Sequence, residues 1–231
     1  MAINLSLEDS VLTVFWDNTT FSLKTLNPLD FPAFPEIEAD QEAEFPFKVF
    51  SSMVKSTAKI VSHDESRAVL TGVLISQEGT ILKMVATDSY RLGVAETQLS
   101  SSSANEFEAV ISGSFLQDIA ALPSSDESIV IALNENQIII TYQNTTFINR
   151  RIEGTFPNYR QLISNEYKTR VRVSTQVLQD AVRRVSLLRN KVFPVQLNVD
   201  SESNIMTLMT NSQDIGNAQE TLLCEIEGES V

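Results

Sequence analysis

The chain has 231 residues, 42% of them hydrophobic, which is ordinary for a soluble globular protein and allows one large domain or two small ones. Its net charge of −13, from 17 basic and 30 acidic residues, argues as a total against nucleic-acid binding, because phosphate contacts need lysine and arginine. No apolar run reaches the ~18 residues of a membrane span, and the first residues lack the basic start and apolar core of a secretory signal.

The only cysteine is Cys224, so an internal disulfide is excluded. A lone cysteine fits a reducing compartment and is most often a small core residue. We therefore expect a cytoplasmic protein with no membrane association.

The first predicted element is a β-hairpin that occurs twice in the chain. I-N-L-S-L-E-D-S-V-L-T-V-F-W-D (Ile3–Asp17) aligns without a gap with I-V-I-A-L-N-E-N-Q-I-I-I-T-Y-Q (Ile129–Gln143). The same four residues, N-T-T-F, follow both segments, at Asn18–Phe21 and at Asn144–Phe147. Their alternating apolar residues predict half-buried strands that share one turn.

A second duplication predicts a strand that runs into a helix, at Phe45–Val61 and again at Val171–Leu188. Apolar residues recur at helical spacing in both segments: Phe50, Met53, Val54, Thr57 and Ile60 in the first, and Leu178, Ala181, Val182, Val185 and Leu188 in the second. Two strand-like runs follow each helix, at 69–75 and 80–86 and at 195–199 and 204–210. A period near 125 residues is the size of a whole domain.

The phase of this repeat divides the chain into three parts. Residues 1–35 form the closing hairpin of one copy, residues 36–165 a complete copy, and residues 166–231 the opening half of a third. The complete copy runs from a strand and a helix through paired strands and a second short helix to its closing hairpin at 129–150. Two polar stretches, Pro35–Glu44 and Ser164–Lys168, are the predicted linkers.

Three segments carry a specific resemblance: R-A-V-L-T-G-V-L (Arg67–Leu74), A-T-D-S-Y-R-L (Ala86–Leu92) and E-G-T-F-P-N-Y-R-Q-L-I (Glu153–Ile163). In this order and spacing they resemble the bacterial DNA polymerase III beta subunit, the sliding clamp, over essentially the whole chain. The resemblance implies an α+β DNA clamp fold, with repeated domains that each pack two helices on antiparallel sheets. Compared with that family, the chain lacks most of the first domain and the last part of the third.

The resemblance also implies a function. Family members are non-catalytic processivity factors, and two protomers close a six-domain ring around duplex DNA without reading its sequence. They dock the DNA polymerase III alpha subunit, the clamp loader and other replication or repair proteins through short peptide motifs of the Gln-Leu-x-Leu-Phe type. The resemblance implies no cofactor and, in the full-length family, a homodimer.

In the family, the T-D-x-x-R-L loop lines the pocket that takes these peptides. The resemblance implies a peptide-binding pocket with an apolar floor and a mainly polar surround: Leu92, Pro157 and Leu162 form the floor, and Arg67, Leu70, Thr87, Tyr90, Arg91 and Gln161 stand around it. From the residues alone, the loop also fits a plain strand-ending turn in which Asp88 caps backbone N–H groups and pairs with Arg91. Further pocket positions of the family fall outside this chain, so the predicted pocket is partial.

Basic residues concentrate on two predicted helices, although the chain as a whole is acidic. The implied DNA-facing residues are Lys48, Lys55, Lys59, Arg183, Arg184 and Arg189. Solvated helix faces are the alternative reading of the same charges. The helix at 112–122 has no lysine or arginine, and aromatic DNA contacts near Ala68 and Val69 are absent, so we expect weak contact with DNA.

The resemblance implies a ring interface with Phe21 and Leu23 on one side and Leu187 and Leu188 on the other, where ordinary core packing is the alternative. An enzyme has little support in the sequence. The only histidine, His63, lies in a polar turn, and there is no metal-binding cluster, phosphate loop or nucleophile elbow. The rival to a sliding clamp is a truncated peptide-binding adaptor that does not encircle DNA.

Overall fold

The computed structural model describes residues 2–31, 39–100, 106–164, 166–188, 194–212 and 216–231. The chain divides into two compact units, residues 1–157 and residues 158–231. The described residues form three α-helices: α1 (Phe47–Thr57), α2 (Gly113–Ala120) and α3 (Thr175–Val185). They also form sixteen strands: β1 (Asn4–Glu8), β2 (Val11–Trp16), β3 (Thr19–Lys24), β4 (Gln41–Pro46), β5 (Gly72–Glu78), β6 (Ile81–Thr87), β7 (Leu92–Gln98), β8 (Phe107–Ser112), β9 (Ser128–Leu133), β10 (Gln137–Tyr142), β11 (Thr145–Arg150), β12 (Thr169–Arg172), β13 (Gln196–Asp200), β14 (Ile205–Ser212), β15 (Gly216–Leu223) and β16 (Glu225–Gly228).

Strands β1, β2 and β3 form an antiparallel sheet whose two faces differ sharply in polarity. Because side chains alternate across a strand, one face is apolar and the other carries mainly polar side chains such as Ser6, Thr13 and Ser22. We call the apolar side the sheet face; it consists of Leu5, Leu7, Leu12, Val14, Phe21 and Leu23. No residue of this sheet is buried.

The closing strands of the middle repeat reproduce this sheet in the same register. Leu5 pairs with Val14 in the first copy, and Ile131 pairs with Ile140 in the second. The third strands also match in register: Phe21 lies opposite Val14 in the first copy, and Phe147 lies opposite Ile140 in the second. The predicted duplication is confirmed, with one difference: N-T-T-F is a turn only at its asparagine, and the T-T-F residues begin β3 and β11.

The core of the first unit lies in the middle repeat. It is built from two four-stranded sheets, ordered β11-β10-β9-β4 and β7-β6-β5-β8, together with α1 and α2. Helix α1 begins directly after Pro46 and buries its apolar stripe, which includes Phe50, Met53 and Val54. The ring of Phe47 stacks on Tyr142 with centroids 3.8 Å apart.

The second unit has a smaller core. Helix α3 packs on the sheet β13-β14-β15, and β12 pairs with β16 in a separate two-stranded sheet. Among the described residues of this unit, the buried core cluster is small: Ala181, Val185, Met206, Leu208 and Leu222. Helix α3 has the same eleven-residue length as α1, yet its Val182 remains 38% exposed.

Two boundaries differ from the predictions. Residues Glu65–Thr71 form a 3-10 segment, so the strand predicted at 69–75 starts only at Gly72. Strand β4 starts at Gln41, inside the acidic stretch predicted as a linker. Among the described residues, no helix has both the length and the apolar character needed to cross a membrane.

Candidate functional site

The predicted T-D-x-x-R-L loop is a tight turn between β6 and β7. The hairpin closes at the Thr87–Leu92 pair, and Ser89 adopts a left-handed backbone with φ +77°. The Asp88 carboxylate accepts hydrogen bonds from the backbone N–H groups of Tyr90 at 2.9 Å and Arg91 at 2.8 Å. This is the capping role that asparagine and aspartate often play in turns.

The same carboxylate also pairs with a side chain. The Arg91 Nε donates to Asp88 Oδ2 at 3.0 Å, while Asp88 is 19% and Arg91 63% exposed. The donated N–H bonds, first from the backbone of Arg91 and then from that of Tyr90, hold the pKa of Asp88 below its ordinary value, and the Arg91 guanidinium adds to them. The turn is thus fixed while the head of Arg91 stays in solvent.

This lowered pKa leads to an expected pH dependence. A carboxyl group with a depressed folded pKa contributes stability above its unfolded pKa of ~3.9, and that contribution is lost as the pH falls through the folded value. We expect the amide signals of Tyr90 and Arg91 to stay unchanged from pH 7 to 5 and to shift only below about pH 3.9. NMR titration checks this result, with Asp88→Asn as the variant that removes the response. A midpoint near pH 6 would contradict the proposed hydrogen bonds.

A second residue joins this turn to the 3-10 segment before β5. The Arg67 Nη1 donates to Ser89 Oγ at 2.7 Å, and its Nε donates to Asp64 Oδ2 at 3.2 Å. Ser66 donates to Asp64 from its hydroxyl at 2.6 Å, and these bonds, with the guanidinium, hold the pKa of Asp64 below its ordinary value. Arg67 therefore links residues 64 and 89 across the surface.

The predicted pocket residues of the first unit differ in their solvent exposure. Tyr90 is 94% exposed, and Leu92 is half-buried. Leu70 and Thr87 are buried, at 8% and 7% exposure, so any role of these two residues works through the packing beneath the turn. Only the exposed and half-buried residues of the predicted pocket can therefore contact a ligand directly.

The G-x-F-P segment passes beside the same 3-10 segment. Gly154 has φ +116°, a backbone that L side chains rarely adopt, and a Cβ added there would lie 2.7 Å from Val69 Cγ2. Pro157 follows three residues later and is exposed. Within the first unit, the 3-10 segment thus contacts both other motifs, through the bond from Arg67 to Ser89 and at Gly154, where glycine is required at the close approach to Val69.

Gln161 and Leu162 lie in the 3-10 turn Tyr159–Leu162 of the second unit. Both are exposed, and Leu162 exposes 70% of its surface. Their grouping with Leu92 and Pro157 in one pocket stays a prediction.

The predicted DNA-facing residues that the structure describes are all exposed, but two are engaged with acids. The Lys48 ammonium lies 2.6 Å from Asp126, and the Arg184 guanidinium binds both carboxylate oxygens of Glu220. Lys55, Lys59 and Arg183 form no ion pair with another described residue, and Arg189 lies outside the described residues. These pairs reduce the positive charge available to a phosphate backbone.

The four residues predicted for the ring interface are not core residues. Phe21 and Leu23 each expose 49% of their surface, Leu187 exposes 78%, and Leu188 is half-buried. Within the described ranges, no group of three or more histidine, cysteine, aspartate or glutamate side chains could hold a metal ion.

Solved structures share this fold. The chain superposes on a DNA polymerase sliding clamp from Bacillus subtilis with a TM-score of 0.88 and 27% identity, covering 99% of this chain and 61% of that one. A putative DNA polymerase III beta subunit from Eubacterium rectale gives the same TM-score at 24% identity, covering 99% and 63%. The architecture is therefore the α+β fold of a DNA sliding clamp.

Sequence comparison gives the family. The central domain of the DNA polymerase III beta subunit matches residues 44–158, and its C-terminal domain matches residues 160–231. A beta sliding clamp from Synechocystis sp. is 30% identical over 240 residues, covering 96% of this chain and 61% of the relative. The chain belongs to the DNA polymerase III beta subunit family, and it spans about three fifths of the length of the curated relatives it matches.

Proposed function

We propose that the chain acts as a DNA sliding clamp, a non-catalytic processivity factor that tethers a replicative polymerase to duplex DNA and docks partners through short peptides. The family and the fold support the DNA-tethering role, and the turn at residues 87–92 supports the peptide role. Its partners would be the DNA polymerase III alpha subunit, the clamp loader and other replication or repair proteins.

The observation that carries the peptide role is the pre-formed surface around Leu92. Arg67 and Asp88 fix the turn through side-chain hydrogen bonds, and Tyr90 and Arg91 remain exposed beside a half-buried leucine. A linear peptide binds well where an apolar floor takes its anchors and a few polar groups hold its backbone. A rigid surface also lowers the ordering cost of binding.

Contact with DNA would be weak and independent of sequence. The exposed lysines Lys55 and Lys59 can meet phosphates, whereas Lys48 and Arg184 already contact acids. Retention on DNA would thus depend on encirclement more than on affinity, as expected for a protein that slides along a duplex.

A titration with a fluorescent Gln-Leu-x-Leu-Phe pentapeptide tests the peptide role. We expect saturable binding, and we expect a matched peptide with alanine at both leucines and the phenylalanine to lose it, because the apolar anchors provide most of the contact area. Fluorescence anisotropy measures both. Equal binding of the two peptides, or no binding by the folded chain, would refute a peptide site built on residues 87–92.

A further inference from the structure

Two of the predicted DNA-facing residues are each held by an acid from another element. The Lys48 ammonium, in the first turn of α1, lies 2.6 Å from Asp126 Oδ1, in the connection between α2 and β9. On α3, the Arg184 guanidinium donates to the Glu220 carboxylate of β15 through Nε at 3.0 Å and Nη2 at 2.5 Å. The partners are 78 and 36 residues apart in the chain, so tertiary structure and not the helical period brings the acids to these residues.

The Arg184 pair has the geometry of a bound phosphate. A guanidinium presents parallel N–H groups that match two oxygens of a carboxylate or of a phosphate. Glu220 occupies both, and its side chain is only 26% exposed, against 59% for Arg184. The hydrogen bonds from Arg184 hold the pKa of Glu220 below its ordinary value, so this carboxylate is charged at neutral pH. A DNA phosphate therefore meets an arginine whose paired donors are already occupied.

Asp126 has the same relation to Lys48 through a single bond. The hydrogen bond from the ammonium holds the pKa of Asp126 below its ordinary value, so this acid is also charged at neutral pH. The side chain of Asp126 is 93% exposed and that of Lys48 61% exposed, so solvent anions can reach the pair. The charge of Asp126 opposes any phosphate that approaches the lysine.

One basic position is left unpaired in both helices. Lys55 and Arg183 are each the ninth residue of an eleven-residue helix, α1 and α3 respectively. Both are exposed, and neither forms an ion pair with another residue in the parts of the chain that the structure describes. Each of the two helices thus combines a basic residue that is open to phosphate with one that an acid already holds.

We propose that Asp126 and Glu220 are intramolecular competitors of the DNA phosphates, and that a duplex must displace them before it can contact Lys48 or Arg184. The inference rests on the proposed DNA-tethering role and names residues that keep its contacts weak. A phosphate contact made at the expense of an existing ion pair gains little, because one bond replaces another. Weak contacts that exchange readily suit a protein that slides along a duplex.

Replacing both acids by their amides tests the proposal. Asp126→Asn with Glu220→Gln keeps the size of each side chain and removes its charge. Exposed ion pairs contribute little to stability, so the fold should survive, as circular dichroism can verify.

The amide variant is expected to bind DNA more tightly and with a stronger dependence on salt. At low salt, the full chain carrying both changes should bind a short fluorescent duplex on the order of 10-fold more tightly than the wild type does. Two additional phosphate contacts should also steepen the fall of log K with log salt concentration by about 1.8, at ~0.9 per contact. Fluorescence anisotropy at several salt concentrations measures both quantities.

A matched control changes the net charge by the same amount. Glu96→Gln with Glu225→Gln breaks ion pairs with Lys83 and Arg172, which are not among the predicted DNA-facing residues. Both double variants make the net charge of −13 less negative by two charges, so long-range attraction to DNA rises equally in the two. The control should stay close to the wild type in affinity and in salt dependence.

A second background shows whether the acids act through their partners. In a chain that already carries Lys48→Ala and Arg184→Ala, the amide substitutions at residues 126 and 220 should change DNA binding no more than the control substitutions do. A full gain in this background would overturn the inference, because the released basic residues would then be absent.

The outcomes separate this inference from the proposed function. If the wild type binds the duplex and the amide variant matches the control variant, the inference is overturned and the DNA-tethering role stands. If no form of the chain binds the duplex even at low salt, the DNA contact of the proposed function fails and the inference fails with it.

Discussion

Replacing Phe45 with alanine is expected to lower the free energy of unfolding by about 3–5 kcal/mol. Phe45 is fully buried in β4, lies opposite Ile129 and meets the ring of Phe107 edge-on at a centroid distance of 6.2 Å. Its truncation loses the transfer free energy of the ring and leaves a cavity where both sheets meet. Guanidinium denaturation followed by far-ultraviolet circular dichroism measures the loss.

Phe15 provides the matched control for this substitution. It lies in β2 on the polar side of the first sheet and is 41% exposed, so Phe15→Ala removes the same ring from a surface position. Such a change is expected to alter stability by about 0.5 kcal/mol at most. Losses of similar size for the two variants would mean that the middle repeat is not the stable core of the chain.

The double substitution Arg91→Ala with Leu92→Ala is expected to weaken binding of the Gln-Leu-x-Leu-Phe peptide by roughly 30-fold or more. Leu92 would provide the floor for an apolar anchor, and Asp88 holds Arg91 beside it. Truncating a side chain at the centre of an interface weakens the binding free energy by about 2 kcal/mol or more, and each 1.4 kcal/mol is a factor of ten in affinity. Fluorescence anisotropy with the labelled peptide gives the ratio.

The fold should be unaffected by this double substitution, because Arg91 is exposed and Leu92 only half-buried. Gln98→Ala, at the other end of β7, is the control and should bind the peptide as the wild type does. If the double variant keeps wild-type affinity, residues 91 and 92 are not part of the peptide site, wherever that site lies.

The register of the closing strands could be predicted from the sequence because their apolar residues recur at a regular spacing of two. Leu5 and Leu7 alternate with Ser6 and Glu8, and Leu12 and Val14 recur at the same spacing of two, so a one-residue slip would turn every one of these four to the other face. Strand β7 gave no such signal. Its sequence L-G-V-A-E-T-Q mixes glycine and charge, and pairing with the buried β6 and packing against α1 hold it in place.

Only part of the candidate site could likewise be predicted from the sequence. The bond between Asp88 and Arg91 spans three residues and follows from ordinary turn chemistry. The hydrogen bond from Arg67 to Ser89 spans 22 residues, and a serine in a polar loop carries no periodic signal. Asp64 accepts a hydrogen bond from the Arg67 Nε and so orients that arginine, and no sequence pattern marks this pair.

The shared register of the two closing sheets makes them interchangeable modules. Residues 3–21 and 129–147 have equal length, equal turn positions and matching apolar sites, so either segment can be grafted in place of the other without inserting or deleting a residue. A graft would keep the hydrogen-bond ladder and, on its apolar side, would exchange leucines, isoleucines and valines of similar volume together with Trp16 and Tyr142. The chain therefore offers a natural scaffold in which one sheet can be redesigned while its counterpart of the same register stays unmodified.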